Sequence, residues 1–456
     1  MVACVPAYAM AQAKSGPPEF DNARYDEDYS YLRDPANWTG AWWERYKFIP
    51  LDPSGTRYLT LGADLRPRYE HYVNRNWGDP PDPTDGYGWL RIMPYADLHL
   101  GPNVRLFGQL IGAWAFDMET APSPVDETGA DLLQAFGQLR FPGDTETLML
   151  QGGRQLLAYG SERLIGLRFG PNVPQAFDGG LARIETGPWR ADTFFMLPVR
   201  NDLQNFDDGT DDTRKLWSLY ATRSMTIGNE SSGLDLFYIG FANSEAVYEQ
   251  GSGAETRHTL GTRVFDGSRN WNWNHEAHFQ FGTFADGNIL AWSVATDTRY
   301  TFADVPLKPY IEARANAISG DRDPNDTDLN SFNAMFPKGK YFGEIGLIGP
   351  RNLLNLHPVI GVDLGQGWSL RGAAVFFWRE SLGDGVYDNP GNVLRASGDR
   401  RARYIGTQSE VVLGWTPVRG IEIEVAYSEF EPGRFIEETG PSKTVRFIGA
   451  EIQLRF

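Results

Sequence analysis

The residues that could do chemistry in this chain are arginines and carboxylates that alternate with apolar neighbours: Arg66 and Arg68, Arg91, Arg105, Arg140, Arg183 and Arg190, Arg257 and Arg263, Arg299, Arg314, Arg371 and Arg379. Asp64, Glu70, Asp97, Glu185, Asp192, Glu276, Glu312, Glu410, Glu422 and Glu424 fall on the same parity. A guanidinium held by a neighbouring carboxylate is a rigid, planar cation, and a series of such groups attracts a negative solute and passes it between weak sites. Of the 42 Lys and Arg residues only seven are Lys, leaving 42 − 7 = 35 Arg. Bidentate recognition of carboxylates favours Arg over Lys; a GC-rich coding bias would produce the same skew.

Other chemistries find less support. Of the six His residues only His275 and His278 are closely spaced, and three apart in a strand places them on opposite faces, unsuited to a shared metal. The sequence contains no nucleophile elbow, P-loop or His-Glu-x-x-His helix. The run from Asp321 through Asp323 and Asn325 to Asp328 has calcium-loop composition but lacks the Gly at position six and the Glu at position twelve. A solvated loop fits it better, so neither a metal nor another cofactor is expected. A net charge of −17 excludes the basic footprint a nucleic acid needs.

Elements with two different faces must position these groups. The stretch 444–456 sets Ile448, Ala450, Ile452, Leu454 and Phe456 on one side and Gly449, Glu451, Gln453 and Arg455 on the other. Such alternation gives a strand with one apolar and one polar surface. Residues 90–100 and 104–116 repeat it around a Gly-Pro-Asn turn, which makes a hairpin. Similar stretches near 58–70, 131–141, 146–153, 181–187, 189–197, 214–223, 233–242, 256–265, 271–284, 288–301, 307–317, 354–364, 368–379, 404–416 and 420–429 bring the total to about 18, with 341–348 as a further candidate. Tight turns at 101–103, 187–188, 286–287, 365–367 and 417–420 are expected on one side of a membrane, and long polar stretches at 71–87, 117–130, 155–180, 198–213, 318–353, 380–403 and 430–443 on the other.

The expected fold is all-β: one antiparallel up-and-down transmembrane β-barrel over 58–456, preceded by a non-barrel segment at 14–57, periplasmic or tucked into the lumen. With 14 Trp, 20 Tyr and 27 Phe, the chain has the aromatics for interfacial girdles. Residues 1–13, including the single Cys4, read as the end of a signal peptide without its basic n-region, which places the true start upstream. One cysteine excludes a disulfide framework.

Three segments carry a family resemblance: Gly152-Gly153-Arg154-Gln155, Ser319-Gly320-Asp321-Arg322-Asp323, and Phe332 to Gly343 with its Phe-Pro-Lys-Gly core. From about residue 58 onward the chain resembles the alginate-export family of outer-membrane proteins. That resemblance implies a monomeric barrel of eighteen strands, located in a bacterial outer membrane, whose arginine constriction passes a polyanionic uronate polysaccharide outward. It places Arg91 and Arg154 among the pore arginines; strand parity sets Arg154 on the lipid side unless Gly152-Gly153 forms a bulge, and a bulge is expected. The solute path is then expected to include Arg91, Arg105, Arg154, Arg183, Arg263, Arg314, Arg371 and Arg379. The partners are the anionic polysaccharide or smaller anionic solutes, outer-membrane lipid and periplasmic secretion proteins; no enzymatic activity is implied. Two other readings stay open: a secreted aromatic-rich β protein that binds or cleaves carbohydrate, and a barrel with an occluded lumen.

Overall fold

Alternation is converted into eighteen strands in the computed structural model, which describes residues 17–80, 84–227 and 230–456. The segment 1–13, with Cys4, lies outside the described residues. The first six strands are β1 (Arg57–Val73), β2 (Asp85–Leu100), β3 (Val104–Phe116), β4 (Gly129–Pro142), β5 (Glu146–Leu156) and β6 (Ala176–Thr186). They are followed by β7 (Trp189–Arg200), β8 (Arg214–Ile227), β9 (Glu230–Tyr248), β10 (Gly251–Gly267), β11 (Trp271–Phe284) and β12 (Gly287–Thr301). The last six are β13 (Tyr310–Ile318), β14 (Leu353–Gly365), β15 (Trp368–Trp378), β16 (Tyr404–Trp415), β17 (Ile421–Pro432) and β18 (Val445–Arg455). Each pairs antiparallel with the next. The sheet closes on itself because β18 pairs with β17 (Ile423 opposite Ile452) and with β1 (Tyr72 opposite Phe447). Closure removes every free edge and satisfies the backbone without water, the condition a membrane span must meet.

The apolar parity faces outward. Ile360 is 65% exposed, Leu219 57%, Leu290 56% and Ile311 54%, far beyond what a water-facing wall tolerates in one continuous belt. At the end carrying the short turns, Trp368 stacks on Trp415 at 4.9 Å and Trp271 meets Tyr300 at 4.8 Å, as in an interfacial girdle. No helix among the described residues is long and apolar enough to cross a membrane; the strands do so instead.

Strand parity assigns the connections. One end holds 101–103, 143–145, 187–188, 268–270, 302–309, 366–367 and 416–420, and the other 74–80, 117–128, 157–175, 201–213, 249–250, 285–286, 319–352, 379–403 and 433–444. Short turns belong on the periplasmic side. The turn beside Asp286-Gly287 corrects the sequence expectation: it is tight, yet it lies at the long-loop end, because β11 and β12 pair up to Phe284 and Gly287 and need little chain to reverse. The 341–348 stretch is also not a strand. Tyr341, Phe342, Ile345, Leu347 and Ile348 are buried in the interior cluster, so its apolar spacing reflects a loop packed inside the barrel.

Two loops fold inward and meet. Ile165 of 157–175 bridges Phe336 of 319–352, with Gly166 N donating to the Phe336 carbonyl at 2.9 Å and Phe336 N to the Leu164 carbonyl at 3.0 Å. Their apolar residues pack on Phe177, Phe237 and Phe241 of the wall. Residues 17–56 form three 3-10 turns, the single-turn helix α1 (Glu44–Lys47) and a two-residue pairing of Ile49–Pro50 with Tyr58 and Leu59.

Candidate functional site

Direct cross-strand neighbours build the charged sites, because opposed residues in an antiparallel ladder place their side chains about 5 Å apart. Arg183 on β6 lies opposite Asp192 on β7. Its Nε and Nη2 donate to the two Asp192 oxygens at 2.8 and 2.9 Å, and Arg190 Nη2 donates to the same carboxylate at 2.9 Å. Arg299 on β12 lies opposite Glu312 on β13 and donates to it at 2.8 Å through Nε; Arg314, two residues along, bonds the other Glu312 oxygen. In both places two guanidinium groups share one carboxylate. Arg371 on β15 donates to Glu410 at 3.2 Å and to Glu344 of the inward loop at 2.9 Å. Lys340 also pairs with Glu344; burial raises this loop carboxyl, but Lys340 and Arg371 outweigh it and hold it below the ordinary range.

Exposure separates the arginines a solute could touch from those it could not. Arg183 and Arg314 side chains are each 22% exposed, whereas Arg91 and Arg379 are fully buried. Arg105 Nε and Nη2 each donate to Asp97 at 2.8 Å, and Nη2 also donates to the Tyr25 carbonyl at 2.5 Å. Arg263 is held by Asn274 at 2.7 Å and Asp235 at 3.1 Å, with its guanidinium 3.9 Å from the Phe265 ring.

Three expected path residues do other work. Arg91 faces inward but is sealed: Nη1 donates to the carbonyls of Phe169 (3.2 Å), Pro171 (3.2 Å) and Asn172 (3.4 Å), and Phe169 lies across its guanidinium at 3.9 Å. Arg66, directly opposite on β1, bonds the carbonyls of Phe169, Gly170 and Pro171. Arg379 follows β15 and donates to carbonyls of Leu382, Asp384, Arg400 and Ala402, gathering the 379–403 loop. For Arg154 the expected bulge is absent: β5 keeps an unbroken register with β4 and β6 through Gly152 and Gly153. Arg154 therefore keeps the outward parity of Leu148 and Leu150. It bonds Asp178 at 2.9 and 3.0 Å beside the 201–213 loop. Gly153 is needed for another reason, since φ is +131° and a Cβ there would meet the Ala135 carbonyl oxygen at 2.2 Å.

The calcium-loop residues do not converge. Asp321 is buried and accepts from Asn330 N at 3.1 Å and from Gln250, while Asp323 accepts from Asn325 N at 3.1 Å in a local turn. Burial, reinforced by Asp384, pushes the Asp321 carboxyl up to about 6. One group of three carboxylates, Asp131, Asp207 and Asp208, lies within 4.8 Å among the described residues. Asp131 accepts from Asp208 N at 3.2 Å, so the group ties the 201–213 loop to β4. Sequence reading missed the loop partners Lys340 and Glu344, because nothing in the local pattern of a loop says that it turns inward.

A closed antiparallel barrel of eighteen strands with an apolar outer belt, short turns at one end and charged residues on the inner parity defines the porin class of the bacterial outer membrane. Within it, the chain belongs to the alginate-export family, which matches residues 57–450. Among solved structures, Pseudomonas aeruginosa OccK2 (OpdF) in complex with glucuronate aligns with a TM-score of 0.57 at 11% identity, covering 90% of this chain and 99% of that one. A BenF-like porin from Pseudomonas fluorescens Pf-5 aligns at 0.58 with 9% identity, covering 87% and 98%. Pseudomonas aeruginosa OpdK with vanillate aligns at 0.56 with 11% identity over the same shares. At these identities the likeness is one of fold. No curated protein matches the chain.

Proposed function

We propose that the barrel is a monomeric outer-membrane channel for carboxylate-bearing sugars, with an anionic uronate polysaccharide as the exported solute and lumen arginines as its transient counter-ions. The observation that carries this reading is the sharing of one carboxylate by two arginines, Arg183 and Arg190 on Asp192 and Arg299 and Arg314 on Glu312. In each trio two guanidinium groups meet one carboxylate, and their partial exposure lets a passing carboxylate compete for them. The family supports an export role, and two barrels of similar fold have carboxylates, glucuronate and vanillate, named with them. The cavity walled by Arg105, Arg183 and Arg190 has a volume of about 40 Å³, room for a few waters and too small for a sugar. Passage therefore requires segments inside the barrel to move.

Bilayer reversal potentials test the reading. The channel is expected to prefer anions, and Arg183→Ala and Arg314→Ala to lower that preference several-fold. A cation-selective pore indifferent to both substitutions would refute it.

A further inference from the structure

Residues 17–56 precede the region shared with the family, yet they pack against the barrel wall at the periplasmic end. Arg24 is fully buried; Nη1 donates to Asp64 of β1 at 2.7 Å and Nη2 to the Phe456 carbonyl at 2.9 Å. Lys47, equally buried, donates to the Tyr95 hydroxyl at 2.8 Å and the Leu61 carbonyl at 3.1 Å. Tyr25 sets its ring edge-on to Phe136 at 5.8 Å and Phe107 at 6.1 Å, and its hydroxyl donates to the Leu156 carbonyl at 3.1 Å. These contacts reach around the inner wall from β1 to β5, which a loosely held tail would not do.

The next residue points the segment at the charged site. Asp26 shares the cavity of about 40 Å³ with Arg105, Arg183 and Arg190; burial raises its carboxyl, and the three guanidinium groups act against that rise. The chain thus delivers a carboxylate of its own to the arginines that would meet a carboxylate solute, on a backbone pinned just before it by Arg24 on Asp64 and by Arg105 on the Tyr25 carbonyl.

We infer that residues 17–56 are a tethered plug that closes the periplasmic mouth by presenting Asp26 to Arg105, Arg183 and Arg190 in place of a solute carboxylate, and that polyuronate displaces it. The inference rests on the anionic-sugar reading of the channel. A tethered ligand competes at millimolar effective concentration, so a single free anion displaces it poorly. A polymer that offers many carboxylates at the mouth has the multivalency to succeed. The plug would therefore keep small anions out while admitting the polymer.

The test uses the full chain in planar bilayers, with trigalacturonate as the acidic probe and maltotriose as the neutral one. Asp26→Asn keeps the size of the side chain and removes its charge; deletion of residues 17–48 removes the plug, with heat-modifiable gel migration confirming that each barrel is folded. Both variants are expected to raise conductance and to lower the half-blocking concentration of trigalacturonate about tenfold, the factor regained if the plug holds its site about nine-tenths of the time. Maltotriose should be unaffected, and adding Arg183→Ala to Asp26→Asn should abolish the gain. If Asp26→Asn leaves conductance and block unchanged while Arg183→Ala alone weakens trigalacturonate, the plug is wrong and the channel reading stands. If no variant prefers trigalacturonate to maltotriose, the channel reading fails and the plug falls with it.

Discussion

At the scale of residues, the lumen is organised by how many cations each carboxylate serves. Asp192 and Glu312 each hold two arginines, whereas Arg371 is balanced by Glu344 and Glu410. Removing a shared carboxylate should therefore change the lumen more than removing one arginine. In Asp192→Asn, Arg183 and Arg190 lose their common anchor, and sugar-acid binding measured by current block is expected to become tighter but less selective in geometry. Asp321 sets a pH dependence. A carboxyl raised to about 6 in the fold, against about 3.9 in an unfolded chain, contributes stability that is complete below about pH 4 and is lost as pH rises through 6. Proteolysis of the 319–352 loop should accordingly speed up between pH 5 and 7, and Asp321→Asn should flatten that profile.

At the scale of elements, the 157–175 loop is held by two arginines with no carboxylate among their hydrogen-bond partners. Arg66 and Arg91 face each other across β1 and β2 and donate to the carbonyls of residues 169–172. Like charges opposite one another destabilise a ladder, so the pair persists because the loop's carbonyl dipoles meet it. Replacing residues 167–172 with a shorter glycine-serine turn is expected to expose both guanidinium groups to the lumen and to raise conductance and anion preference together. An unchanged pore after that exchange would show that the loop does not narrow the path. The strands carry a different requirement. Ile360 sits at the middle of β14 on the outer face, and Ile360→Arg is expected to cost about 2–4 kcal/mol of barrel stability at the bilayer midplane, measured by urea titration of the heat-modifiable form in lipid vesicles.

For the whole molecule, closure by β18 against β1 leaves no sheet edge, and a continuous apolar belt fixes the solvent as lipid. Extraction should require detergent, and light scattering of the purified barrel should report one copy of the 51.1 kDa chain per micelle. A stable trimer at micromolar concentration would overturn the monomeric part of the proposal.

The sequence by itself determined the wall. Period-two alternation over stretches of about ten residues encodes which side of each strand meets lipid, and that information is local, so the strand number, the final pairing and the inward parity of Arg105, Arg183, Arg263, Arg314 and Arg371 were legible in it. Only the tertiary structure decided what occupies the interior. Arg91 and Arg379 carry the same local pattern as Arg183, yet a loop remote in sequence covers Arg91 and the loop that Arg379 opens folds back over it; Arg154 stays outward because its register is set by pairing with β4 and β6 rather than by its glycines. Asp26 and Lys340 lie in segments with no repeating period, and Glu344 in a stretch whose spacing suggested a strand; the position of each follows from long-range contacts such as Arg24 with Asp64 and Arg371 with Glu344. A strand's faces follow from neighbours along the chain, whereas the path through a barrel depends on which distant segments fold into it.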